Sequence, residues 1–109
     1  MYVTNGSPTI DGAIIDNNIA YWGGGIYLEN ADPVVKHSTL KNNEAFIEGA
    51  GLYQSSGSGS IEWTTFEHNN GYDYGGGIVA YQTTLELNQT TFAGNVAGVG
   101  SVMAMYSSV

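Results

Sequence analysis

The feature that most limits what this chain can fold into is a repeat. Four segments, 8–32, 33–58, 59–84 and 85–109, lie under one another with a period of 25 or 26 residues, after a lead-in over 1–7. An apolar column runs Ile10, Val35, Ile61, Leu87, and five residues later a second runs Ile15, Leu40, Phe66, Phe92. Three residues beyond that an asparagine recurs as Asn18, Asn43, Asn69 and Asn95. Glycines follow at Gly23–Gly25, Gly49 with Gly51, Gly75–Gly77 and, more weakly, Gly98 with Gly100. The unit closes on Ile26, Leu52, Ile78 and Val102. A fixed period of this length is the signature of a solenoid.

Residue type selects which solenoid. Between the Gly, Asn and Pro punctuation the apolar stretches are short and rich in Ile, Val, Thr, Tyr and Phe, which favours strands over helices. Like columns then stack if successive coils run parallel, about 4.8 Å apart, so four coils make a stack about 20 Å tall. An asparagine above an asparagine can pass a side-chain hydrogen bond along the axis. The residue type also tolerates the left-handed conformation that a sharp corner demands. The expectation is an all-β parallel β-helix of about four coils, one domain over 1–109, with Ile15, Leu40, Phe66, Phe92, Ile26, Leu52, Ile78 and Val102 as its core ladders.

Composition supports a packed fold and removes several functions. Hydrophobic residues are 42% and aromatic residues 12% of the chain, more than a disordered segment carries. Ten carboxylates stand against only Lys36 and Lys41, for a net charge of −8, so a phosphate backbone finds no clustered cations and nucleic acid is excluded as a partner. The absence of cysteine removes disulfides and thiolate chemistry. No apolar run has the length of a membrane span, and any export signal is expected outside this sequence.

Phe66-x-x-Asn69 and Phe92-x-x-Asn95, with Gly75-Gly76-Gly77-Ile78 and its echo Gly23-Gly24-Gly25-Ile26-Tyr27, resemble the paired motifs of polymorphic outer-membrane protein repeats. The resemblance covers essentially the whole chain. It implies a right-handed helix and the setting of secreted adhesins and autotransporter passenger domains; polysaccharide lyases and phage tailspikes use similar β-helices. The motif pair specifies a coil and says little about activity. Where the family pattern reads Gly-Gly-Ala, this chain has Gly-Gly-Gly or Gly-Ala-Gly, and its fourth coil keeps only Gly98 and Gly100, so that coil is expected to be distorted.

Tyr2-Val3-Thr4-Asn5 matches Tyr27-Leu28-Glu29-Asn30, so the lead-in is part of a coil, and everything from Leu87 onward is uncharged. Solenoids usually carry polar caps. None is visible here, which implies coil ends covered by a longer parent β-helix or by copies of the chain. A head-to-tail contact of that kind would not close on itself.

Candidate sites are few. Asp11, Asp16, Glu62, Glu67 and Asp73 could supply a general acid and base, but no convergent pair is spaced for it, and two lysines are few for an acidic sugar; solvated surface charge is the simpler reading. His37 and His68 occupy different columns, against a shared metal site. Asp16-Asn17-Asn18 offers oxygen ligands of the kind calcium takes, without repetition of the acid in the other coils. The triple glycines precede neither a lysine nor a helix and are not phosphate loops. Asn5-Gly6-Ser7 and Asn88-Gln89-Thr90 are glycosylation acceptors only in a glycosylating host. The notable non-core feature is a possible contact strip, Tyr21, Trp22, Phe46, Tyr72 and Tyr74, open to three readings: a sugar-binding edge, packing against a neighbouring molecule, or simple corner packing. The leading expectation is an extracellular, non-catalytic structural or adhesive module without a cofactor, stacking end to end in a fibre or surface adhesin. The alternative is a glycan-binding or glycan-cleaving β-helix fragment.

Overall fold

The computed structural model describes residues 1–106, with side chains through Met103; the end of the fourth expected coil, 107–109, lies outside the described residues. The lead-in forms β1 (Tyr2–Thr4). The first coil is β2 (Thr9–Asp11), β3 (Ile14–Asp16), β4 (Ile19–Trp22) and β5 (Ile26–Glu29), and the second β6 (Val34–Lys36), β7 (Thr39–Lys41), β8 (Glu44–Glu48) and β9 (Leu52–Ser55). The third is β10 (Ser58–Glu62), β11 (Thr65–Glu67), β12 (Asn70–Tyr74) and β13 (Ile78–Tyr81), and the fourth β14 (Thr84–Asn88), β15 (Thr91–Ala93), β16 (Val96–Val99) and β17 (Met103–Tyr106).

Each strand pairs in parallel with its equivalent one coil away, giving four flat faces. The first face is β2-β6-β10-β14, the second β3-β7-β11-β15, the third β4-β8-β12-β16 and the fourth β1-β5-β9-β13-β17. Strands of three to five residues cannot bend, so the chain turns at four corners per coil, each marked by a positive φ. Gly12, His37, Trp63 and Gln89 turn the first to the second face, and Asn17, Asn42, His68 and Gly94 the second to the third. Gly23, Gly49, Gly75 and Gly100 turn the third to the fourth, and Asn5, Asn30, Ser56 and Gln82 lead to the next coil. Glycine and asparagine are the residues that adopt this conformation at least cost.

Inward-pointing strand residues fill the coil. Val35, Leu40, Ile61, Phe66, Ile26, Leu28, Leu52 and Ile78 have no exposed surface, and Phe66 stacks on Phe92 with ring centroids 5.1 Å apart. Ile15 and Phe92 are partly buried against this core. The asparagine column sits just inside the second corner. Nδ2 of Asn18 donates to Oδ1 of Asn43 at 3.1 Å, that of Asn43 to Asn69 at 3.0 Å and that of Asn69 to Asn95 at 2.9 Å. The same oxygens accept the preceding coil's asparagine backbone N–H at 3.0 Å, and the second amide hydrogens of Asn43, Asn69 and Asn95 reach the carbonyls of Ile15, Leu40 and Phe66. A buried amide is therefore satisfied on both its donor and acceptor sides.

One core assignment is corrected. Met103, not Val102, lies opposite Ile78, and Val102 is 49% exposed. The third face sets this register: Ala45 to Glu48 and Gly71 to Tyr74 contain one residue more than Ala20 to Trp22 and Ala97 to Val99, so the step of 26 from Leu52 to Ile78 becomes 25 from Ile78 to Met103 and falls one residue past Val102. This slip moves the fourth glycine triplet to Gly100-Ser101-Val102, whose backbone continues the ladder by accepting from Gly77 and Ile78. The distortion expected of the last coil amounts to that shortening, since β14 to β17 all pair with the third coil.

Candidate functional site

The third face displays the aromatic strip outward. Tyr21, Trp22, Phe46, Tyr72 and Tyr74 are 37–64% exposed. They fall into two columns rather than one. Tyr21 meets Phe46 at 5.6 Å in a tilted contact, and Phe46 stacks on Tyr72 at 5.9 Å and 12°. Near-parallel rings along the axis cover one another's faces and turn their edges to solvent. The second column, beside the glycine corner, runs Trp22, Glu48, Tyr74 and Val99 in register.

Across that corner the fourth face carries a column that sequence reasoning left out. Tyr2, Tyr27 and Tyr53 stack at 5.0 and 5.1 Å, and the hydroxyl of Tyr2 donates to Glu29 at 2.7 Å. Tyr27 and Tyr53 are half-buried because the corner glycines let them close in: a Cβ on Gly49 would stand 2.8 Å from the Cβ of Tyr53. At the first coil the two aromatic columns wall a cleft with a glycine floor, Trp22 on one side and Tyr2 and Tyr27 on the other. This cleft has a volume of about 310 Å³ and is lined also by Met1, Ile19, Gly23 and Gly24 among others.

Charges of both signs stand at this corner, since the Met1 α-ammonium lines the cleft and donates to the Gly25 carbonyl at 2.7 Å. Burial and the nearby Asp73 charge raise the pKa of the Glu48 carboxyl, and burial followed by the Glu48 charge pushes the Tyr53 phenol up to about 12. Tyr27 is raised by burial and then by Glu29, while the Tyr2 phenol is raised chiefly by its hydrogen bond to Glu29. Every lysine and histidine lies elsewhere: Lys36 on the first face, Lys41 on the second, His37 and His68 at the corners flanking the second. The ion pairs among the described residues lie there too, His37 Nδ1 to Asp11 at 3.1 Å and Lys41 Nζ to Asp16 at 4.0 Å.

The remaining candidates are dispersed. Register sets Lys36 between Asp11 and Glu62, and Lys41 between Asp16 and Glu67, so these carboxylates alternate with cations along the axis. Asp16 accepts from Asn42 Nδ2 at 3.0 Å, and the Asn18 amide is turned into the asparagine ladder, which breaks up the Asp16-Asn17-Asn18 oxygen set. Asp73 alone of the sequence-selected carboxylates lies on the third face, where its charge helps raise the Glu48 carboxyl. His37 and His68 turn different corners, and among the described residues no three His, Asp or Glu side chains gather as a metal set. Trp63, also missed, is 58% exposed at φ 48°, on the opposite side of the coil from the cleft.

A family model described as a right handed beta helix region matches residues 1–108. No curated protein and no solved structure matches the chain. With the stacked parallel faces and a match that spans nearly every residue, the chain belongs to the right-handed β-helix family.

Proposed function

We propose that this chain is an extracellular, non-catalytic adhesive module that recognises glycans through the aromatic cleft at its glycine corner. The observation that carries the reading is the first-coil cleft, with Trp22 on one wall and the stacked Tyr2 and Tyr27 on the other, held on rigid strands over Gly23 and Gly24. Strand-borne rings pay little ordering entropy on binding, and exposed apolar surface grouped in this way usually meets a partner. The finer likeness to the polymorphic outer-membrane repeats supports the adhesin setting, because each motif position has a structural task. Phe66 and Phe92 stack, Asn69 and Asn95 bond, and Gly77 passes close to Phe92.

The test is a panel of oligosaccharides followed by tryptophan fluorescence in a Trp63→Phe background, which leaves Trp22 as the reporter. Binding that is lost in Trp22→Ala with an unchanged circular dichroism spectrum supports the reading. No response to any sugar ends it.

A second reading, that coils of neighbouring chains stack end to end in a fibre, is favoured by the exposure of apolar core members at the outer coils. Leu87 is 38% exposed, whereas Val35 and Ile61 in its column are buried. Sedimentation over a concentration series tests it: a constant sedimentation coefficient excludes stacking.

A further inference from the structure

We propose that the first-coil cleft recognises the acetamido group of N-acetylated amino sugars, and so takes N-acetylglucosamine oligomers in preference to glucose oligomers. The inference rests on the glycan reading above and adds the chemical group that is read.

The asparagine ladder sets two polar atoms in this cleft. In every later coil the ladder Oδ1 accepts twice from the asparagine one coil before it, from its backbone N–H and from its Nδ2: Asn43 from Asn18, Asn69 from Asn43 and Asn95 from Asn69, at 2.9–3.1 Å. The residue after each of these acceptors, Glu44, Asn70 or Val96, donates its N–H to the carbonyl of that same preceding asparagine at 2.8–2.9 Å. Asn18 and Ile19 hold the corresponding places in the first coil, and both line the cleft. Among the described residues nothing donates to Asn18 Oδ1 and nothing accepts from the Ile19 N–H. The Asn18 side chain is fixed through its Nδ2, which donates to Asn43 Oδ1 at 3.1 Å and to the Asp16 carbonyl at 3.3 Å. A preset acceptor therefore stands beside a preset donor, with Trp22, Tyr2 and Tyr27 around them.

The group that this pair takes is an N–H with an oxygen next to it. A 2-acetamido sugar supplies both: its amide N–H donates to Asn18 Oδ1, and the hydroxyl on the adjoining ring carbon accepts from the Ile19 N–H. Its acetyl methyl then covers apolar surface of Ile19 and Trp22, which a glucose hydroxyl in the same place does not. A site that reads a hydrogen-bonding group discriminates against a ligand that leaves its own polar atoms unpaired. The free amine of glucosamine also carries N–H, but as a cation it would enter beside the Met1 α-ammonium.

An extended peptide, which also brings N–H and C=O groups, fits less well. Peptides bind a sheet by adding a strand along a free edge. The edge here is β4, four residues between the positive-φ corners at Asn17 and Gly23, and Met1 closes the slot at the glycine end by accepting from the Tyr27 N–H at 2.8 Å. A ligand one or two rings long meets the whole pair without running past the corners.

The experiment titrates the Trp63→Phe chain with four probes: the N-acetylglucosamine tetramer, the glucose tetramer, the glucosamine tetramer and an end-capped alanine tetrapeptide. The expected result is binding of the N-acetylglucosamine tetramer about tenfold tighter than of either other sugar. Asn18→Ala should bring the N-acetylglucosamine and glucose tetramers within about threefold of each other, both still held by the rings, with an unchanged circular dichroism spectrum. Saturation-transfer NMR on the unaltered chain should place the acetyl methyl among the most strongly saturated protons of the bound sugar. Equal affinity for N-acetylglucosamine and glucose tetramers, a tenfold preference that survives Asn18→Ala, or an acetyl methyl less saturated than the ring protons overturns acetamido recognition and leaves the glycan reading standing. The glucosamine tetramer binding as tightly as the N-acetylated one overturns it in the same way. The alanine tetrapeptide binding as tightly as the N-acetylglucosamine tetramer overturns it in favour of a peptide. Absence of binding to all three sugars overturns the glycan reading itself, and acetamido recognition with it.

Discussion

Asn43 donates its side-chain amide to Asn69 across one coil at 3.0 Å, and neither residue has any exposed surface. Asn69→Ala would strand the Asn43 backbone N–H in the interior and take one partner each from the Asn43 amide and the Leu40 carbonyl. Unpaired buried groups cost more than a hydrogen bond contributes. The expected loss is about 3 kcal/mol, read as a lower urea midpoint with an unchanged slope. Asn18→Ala, in the exposed first-coil position, should cost no more than about 1 kcal/mol.

The second prediction concerns close approach. A Cβ on Gly51 would stand 2.5 Å from the Gly77 carbonyl oxygen and 2.7 Å from Phe66 Cδ2, so Gly51→Ala must move backbone or ring. A destabilisation of about 1–3 kcal/mol follows. Val102 occupies the same column in the fourth coil and is half exposed, and Val102→Ala should stay within about 0.5 kcal/mol. A common chemical-denaturation series compares the two.

Phe66 tests the stacking of coils directly. Phe66→Leu copies the residue that the second coil uses at this level, Leu40, and should cost about 1 kcal/mol. Phe66→Ala leaves a void beside Phe92 and should cost about 3–5 kcal/mol. Equal effects would mean that the ring stack itself, and not the volume it fills, carries the contribution.

Stability should fall in alkali. The Tyr53 phenol titrates near 12 in the fold against 10.0 when unperturbed, so between those values the unfolded chain releases a proton that the folded chain keeps. The folded state then binds more protons and loses stability as pH rises, with no contribution from this group below the unperturbed value. Tyr53→Phe should flatten the decline of thermal midpoint over that range and remove the highest step from the tyrosinate absorbance titration.

Trp63 offers a stabilising change. A bulky residue at φ 48° carries steric cost, while its column accommodates Gly12, His37 and Gln89. Trp63→Asn should gain about 1 kcal/mol, raising the melting temperature by about 4 °C in differential scanning calorimetry. A lowered melting temperature would show that the ring packs in a way that outweighs the backbone strain.

The coil was legible because stacking repeats a residue type at each level: Ile10 with Val35 and Ile61, or Asn43 with Asn69, needs no knowledge of partners. The slip at Val102 was not, because a one-residue shortening on the third face leaves two apolar neighbours, Val102 and Met103, equally eligible for the column under Ile78, and only backbone pairing distinguishes them. The Trp22 wall of the cleft was visible as a run of aromatics. The opposite wall was hidden, since Tyr2 and Tyr27 stand next to core residues and read as strand filler. That they face Trp22 follows from the fold of the corner, which no window of sequence contains. The spacing from Tyr2 to Tyr27, equal to the coil period, was the signal available.

The asparagine ladder also gives the rod a direction. Every amide in it presents oxygen toward the first coil and nitrogen toward the last. Along the side-chain ladder a cut across the coils therefore bares an Oδ1 acceptor on one side and an Nδ2–H donor on the other. Two such rods can meet tail to head with this polarity matched, but a twofold pair joined at like ends would set oxygen against oxygen or nitrogen against nitrogen. Any array built along this axis is a one-way street, with every member pointing the same way.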